Sequence, residues 1–114
     1  MEAGTQALRA HLNMILLAVL AGGNLHAYAV IAALRQRSGG RFEFSEGTAY
    51  PALHRLEHLG LITSSWSAAE GKQRRVYGLT PAGQDKLAAD RGAWLDYVTA
   101  VNGLLDTGSL PSRP

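Results

Sequence analysis

Residues 45–60 (SEGTAYPALHRLEHLG) hold the side chains best suited to chemistry in this chain. Read as a helix, the stretch gathers the hydroxyls of Ser45, Thr48 and Tyr50 near its start. A helix start also offers free backbone N–H groups and a positive dipole end, so together these groups suit a phosphate. His54 and Arg55 follow one turn later and can reach base edges, with Arg to guanine the most common specific contact. The same stretch contains His54, Glu57 and His58 in an H-x-x-E-H pattern, in which two histidines hold zinc and the glutamate acts as base. A hydrolytic zinc site needs a third protein ligand, and downstream only Glu70 and scattered aspartates remain. The metalloenzyme reading therefore falls well behind the nucleic-acid one. No activated nucleophile and no glycine loop followed by Lys-Ser or Lys-Thr occurs, so no enzyme and no cofactor is expected.

The elements that must carry these groups follow from periodicity. Ser45 is placed to cap the third helix by accepting a bond from an orphan backbone N–H, with Glu46 favourable in the first turn and Gly60 as the stop. Pro51 removes one intrahelical bond, which predicts either a bend or regular geometry only from about Thr48. On a helical wheel Ala49, Ala52, Leu53, Leu56 and Leu59 share the packing side, while Gly47, Thr48, Pro51, His54, Arg55 and His58 face outward.

Upstream, Leu8, Leu12, Ile15, Leu16, Val19 and Leu20 form one apolar stripe, predicting a first helix from about Thr5 to Ala21. This run also imitates the apolar core of a signal peptide, but a buried helix ended by Gly22 and Gly23 is preferred, and it is too short to span a bilayer. A second helix follows, with Tyr28, Ile31 and Leu34 inward and Arg35, Gln36 and Arg37 outward. His11 and His26 have no ligand spacing and read as surface or capping histidines. Residues 61–66 and 74–79, rich in β-branched and aromatic types, predict a β-hairpin around residues 68–71. Thr80 and Pro81 then open a last helix reaching about Asp106, and residues 107–114 are expected to be a disordered tail.

With 114 residues the chain has room for one core, and it lacks cysteine, which fits a reducing, cytoplasmic setting. The formal charge is only +2, yet seven of eleven basic residues lie between Arg35 and Arg75 against four acidic ones. Local excess matters more than the total for an anionic partner. Lys72, Gln73, Arg74 and Arg75 fall at the hairpin tip and the start of its second strand, where long cationic side chains extend to phosphates. In the last helix Leu87, Trp94, Val101, Tyr97 and Leu104 keep heptad spacing, flanked by Val98 and Leu105. That stripe requires cover, from the first helix or from a second copy of the chain. Trp94, Tyr97, Val98, Val101, Leu104 and Leu105 are the expected dimer contacts, with Trp94 central.

The fold class read from this order is mainly α with a small β-hairpin: a winged helix-turn-helix over residues 1–80, then one long helix over 81–106. From Asn13 to Leu79 the chain resembles the PadR family of bacterial transcriptional regulators. The likeness rests on His26 to Tyr28, the run from Ser45 to Glu57, Gly60 and Leu61, Arg74 to Tyr77, and Leu79 with Thr80. It implies a homodimeric repressor that binds a double-stranded DNA operator and is released by a small aromatic or hydrophobic effector. It also implies that Ser45, Thr48, Tyr50, His54 and Arg55 meet the major groove and that Lys72 to Arg75 meet the flanking minor groove. No membrane partner is expected. Where the family usually has His-Gly-Tyr-Glu this chain has Ala27 and Ala29 around Tyr28, and Ala49 replaces a usual leucine. The alternative from another class is a winged-helix module that contacts protein rather than DNA.

Overall fold

The computed structural model describes residues 11–69 and 71–106. Expectations for Thr5 to Ala10, for Glu70 and for the tail at 107–114 lie outside the described residues. The elements are α1 (Leu12–Leu20), β1 (Leu25–His26), α2 (Ala27–Arg37), α3 (Glu46–His58), β2 (Ile62–Ala69), β3 (Lys72–Leu79) and α4 (Pro81–Leu105).

The apolar run once compared with a signal peptide forms α1, with Leu16 and Leu17 fully buried at the centre of the core. Val30 and Leu34 of α2, Leu53 and Leu56 of α3, Ile62, Tyr77 and Leu87 pack against it. Burying such side chains out of water, at about 1.5–3 kcal/mol each, is what holds three short helices together. No helix among the described residues is long and apolar enough to cross a membrane.

Two inward assignments need correction. Tyr28 is 67% exposed, because α2 begins at Ala27 with Ala27, Val30 and Leu34 turned inward. Tyr28 therefore lies about 100° round the helix from Ala27 and farther still from Val30 and Leu34. Leu59 is also exposed, since it caps α3 after the last buried turn at Leu56. Pro51 lies inside a helix that already runs from Glu46, so regular geometry does not wait for Thr48.

The sheet has three antiparallel strands in the order β1-β3-β2. The two-residue strand β1, absent from the sequence reading, pairs Leu25 with Tyr77 and His26 with Val76. The hairpin is longer than expected: β2 and β3 stay paired out to Ala69 opposite Lys72, with Gly71 at φ 76° just before β3. That left-handed conformation favours glycine.

Thr80 caps α4 by accepting from the Gly83 N–H at 3.0 Å, while its own hydroxyl donates to the Gly60 carbonyl at 2.7 Å. One side chain thus ties the end of α3 to the start of α4. Leu87 anchors the first part of α4 in the core. The second part emerges: Leu95, Tyr97, Leu104 and Leu105 are all exposed, and the molecule extends 69 Å along its long axis.

Candidate nucleic-acid interface

Ser45 occupies the cap position of α3 with extended backbone, and its carbonyl accepts from the N–H groups of Thr48 and Ala49. Its side chain does not make the expected cap bond. The hydroxyl instead donates to Thr48 Oγ1 at 3.4 Å, so the first-turn N–H groups of α3 receive no bond from it. Ser45, Gly47, Pro51, His54, Arg55 and His58 are exposed along α3, with Thr48 half-buried.

Strand alternation divides the wing's cations between two faces. Gln73 and Arg75 pair with Ala68 and Trp66, whereas Arg74 pairs with Ser67 and Lys72 with Ala69. Successive residues of a strand leave it on opposite sides, so Arg75 shares the Trp66 side while Arg74 starts from the other and reaches His26 of β1, and both line the groove beside α3. Arg75 stacks its guanidinium over the Trp66 ring at 5.1 Å. Its Nε also donates to Ser64 Oγ at 2.9 Å, and Ser64 donates onward to Glu57 Oε2 at 2.6 Å. This chain of bonds links the middle of the wing to the last turn of α3, and it fixes the two elements at one separation.

Between them lies a groove of about 530 Å³, lined by His26, Tyr50, His54, Trp66, Gln73, Arg74, Arg75 and three further residues, none of them acidic. Tyr77 closes its floor. Burial raises the Tyr77 phenol above its ordinary value of 10.0, opposed in part by the positive charge of Arg75. Among the residues expected to meet DNA, Tyr50, His54, Gln73, Arg74 and Arg75 are therefore brought together.

Arg55 points elsewhere. It reaches Asn13 of α1, donating to Oδ1 at 3.3 Å, and lines a second cavity of about 530 Å³. That cavity is shared with Lys86, Asp90, Trp94 and Tyr97 of α4. Trp94 meets His11 edge-on at 4.7 Å and Tyr97 at 5.9 Å, so it is half-buried against its own chain. The expected dimer residues thus divide: Trp94, Val98 and Val101 are half-buried, while Tyr97, Leu104 and Leu105 are exposed.

Within the H-x-x-E-H pattern Glu57 accepts from the Ser64 hydroxyl. No group of three or more potential metal-ligating side chains occurs among the described residues. His26, read as a surface or capping histidine, caps α2, its Nδ1 accepting from the Ala29 N–H at 3.3 Å. Sequence reasoning missed that its other nitrogen lies 3.0 Å from Arg74 Nη1. The only signal was the partnership of β1 with β3, which a two-residue strand does not announce.

A three-helix core, a helix presented beside a cationic hairpin and a third sheet strand before α2 define a winged helix-turn-helix. The chain belongs to the transcriptional regulator PadR-like family, whose model matches residues 16–89; this is a family of regulators rather than enzymes. Transcriptional regulator Rv3488 of Mycobacterium tuberculosis is 45% identical over 62 residues, covering 54% of this chain and 58% of that protein. An uncharacterized 37.1 kDa protein in transposon TN4556 of Streptomyces fradiae is 42% identical over 75 residues, 66% of this chain but 20% of its own length. The matched stretch therefore spans less than two thirds of either relative. Among solved structures, the PadR-like transcriptional regulator BC4206 of Bacillus cereus aligns with a TM-score of 0.80 at 27% identity, covering 89% of this chain and 97% of that one. A transcriptional regulator from Clostridium thermocellum aligns with a TM-score of 0.78 at 26% identity, covering 87% and 97%.

Proposed function

We propose that this regulator is a cytoplasmic homodimeric repressor that occupies duplex operator DNA and is released by a small aromatic or hydrophobic effector. Residues 1–80 form the DNA-binding unit and residues 81–106 the dimerising one. The observation that carries the DNA reading is the groove between α3 and the wing, lined by Arg74, Arg75, His26 and His54 with no carboxylate among the described lining residues. A polyanion is the partner such a lining favours, because cations attract it and acidic side chains would repel it. Ser45, Thr48 and Tyr50 position phosphates at the start of α3, and Lys72 to Arg75 hold the flanking backbone. His54 reads base edges, and so does Arg55 once it leaves Asn13.

Dimerisation is supported by the exposed Tyr97, Leu104 and Leu105, which share one side of the second half of α4 and are left uncovered by the described residues. Two copies joined there present two α3 helices about one duplex turn apart, ~34 Å, to a palindromic site. An effector reading is supported by the cavity at Trp94, which touches both α4 and Arg55. A ligand there bears on the operator-reading arginine and on the dimer helix together.

The test is fluorescence anisotropy with labelled duplex from upstream of the protein's own gene, repeated at rising salt and beside sedimentation velocity. Saturable binding by a dimer, with affinity falling steeply as salt rises, is expected. Absence of binding to that duplex and to random duplex overturns the reading, in favour of a winged-helix module that contacts protein.

A further inference from the structure

We infer that His26 and Arg74 together form a phosphate clamp at the edge of the DNA groove, with His26 as a binding residue in its own right. The inference rests on the operator-binding reading above. Its starting point is a conflict of donors at one imidazole. Nδ1 of His26 faces the Ala29 N–H at 3.3 Å, and Nε2 faces Arg74 Nη1 at 3.0 Å. Both facing groups are donors: a backbone amide cannot be otherwise, and a guanidinium stays protonated in proteins. A neutral imidazole has one lone pair and one N–H, so it satisfies one of these neighbours and opposes the other. A protonated ring satisfies neither.

The cap decides which contact is kept. Ala29 is fixed in the first turn of α2, where an N–H without a partner is costly, whereas the Arg74 side chain is long and exposed. Nδ1 therefore keeps its lone pair for the cap, and Nε2 carries the hydrogen. Nε2–H and the Arg74 guanidinium are then two donors converging on one place, with only mutual repulsion between them.

An oxygen anion inserted there accepts from both and removes the conflict, while the cap stays intact. The described groups that share the groove with His26 do not supply one: they are Tyr28 of α2, Tyr50 and His54 of α3, Trp66 of β2, and Gln73, Arg74, Arg75 and Tyr77 of β3, of which Gln73 offers only a neutral amide oxygen. The incoming anion is a backbone phosphate of the duplex, since this corner opens on the same groove as α3 and the wing. The clamp is blind to sequence and sets the register of the wing on the DNA.

The experiment is a two-residue cycle on the full chain, read by anisotropy with a labelled random-sequence duplex at low salt. His26→Asn keeps a side-chain acceptor for the α2 cap but lacks the ring N–H. It is expected to weaken binding about tenfold, as loss of a charge-assisted bond does. In an Arg74→Ala background the same change should cost little, because both donors serve one phosphate. Nitrogen-15 spectra of the wild-type ring should show the hydrogen on Nε2. Wild-type affinity in His26→Asn, losses that simply multiply in the double variant, or a ring hydrogen on Nδ1 each overturn the clamp alone. Failure of the wild-type chain to bind any duplex overturns instead the reading beneath it.

Discussion

Replacing Gly83 by alanine sets two effects of opposite sign against each other. In a helix interior, glycine to alanine ordinarily stabilises by about 0.5–1 kcal/mol. Gly83 lies buried in the first turn of α4, and a Cβ built there collides with the Leu61 carbonyl oxygen. It also falls 3.0 Å from the Leu61 carbonyl carbon and 3.3 Å from Leu79 Cδ2. The main obstacle is backbone, so it does not swing aside. If the helix stays in place, overpacking costs about 1–3 kcal/mol. If the start of α4 moves away, it forfeits the Thr80 cap on the Gly83 N–H, the Thr80 N–H bond to Leu61 at 3.1 Å and the hydroxyl bond to Gly60. Those three are worth about 1 kcal/mol each. By either route the loss exceeds the propensity gain, and the expected net is about 2 kcal/mol of destabilisation. In a chain of this size that lowers the melting temperature by about 10 °C. Gly92 of the same helix has open space where its Cβ would go, so Gly92→Ala is the matched control and should gain about 0.5–1 kcal/mol. Urea denaturation of both variants at one protein concentration measures the difference. A Gly83→Ala protein as stable as Gly92→Ala would refute the close approach of α4 to Leu61.

Glu57→Ala removes the acceptor of the Ser64 hydroxyl and with it the anchor of Arg75, which should cost about 1.5–3 kcal/mol in urea denaturation and speed amide exchange along β2 and β3. Unchanged exchange in the wing would deny that this chain of bonds fixes it. Trp94→Ala should weaken dimerisation and thereby operator binding, and sedimentation velocity showing the wild-type dimer would remove Trp94 from that contact. Arg55→Ala should lower discrimination at one operator position by about 1–3 kcal/mol, whereas equal losses on specific and random duplex would contradict base reading. Tyr77 titrates higher in the folded chain than its ordinary 10.0, because burial favours the neutral phenol. Its contribution to stability is full below that value and is lost as pH rises through the folded one. Melting curves at increasing alkalinity should show a step that Tyr77→Phe abolishes.

The sequence carried most of the scaffold because its signals there are local. The spacing from Leu12 to Leu20 identified α1, Gly60 ended α3, and Thr80 with Pro81 opened α4 where the structure has them. What escaped depends on partners distant in the chain. Strand β1 is too short for any periodicity and exists only because Val76 and Tyr77 pair with it. Tyr28 shares helical spacing with Ile31 and Leu34 and so reads as inward, but the buried line of α2 runs through Ala27, Val30 and Leu34 instead. The direction of Arg55 toward Asn13 depends on how α1 crosses α3, which the pattern of either helix alone does not specify. The basic run from Lys72 to Arg75 was visible as charge, while its division between two faces became visible only with the strand register.

That division constrains how wings of this kind change length. Because Ala69 pairs with Lys72, adding a single residue within β3 between that pair and Arg75 would send Arg75 outward and swing its neighbour in to meet Trp66. Adding two would return Arg75 to its original face. Insertions that preserve the groove should therefore come in even numbers, a rule that a set of aligned homologous wings would either obey or break.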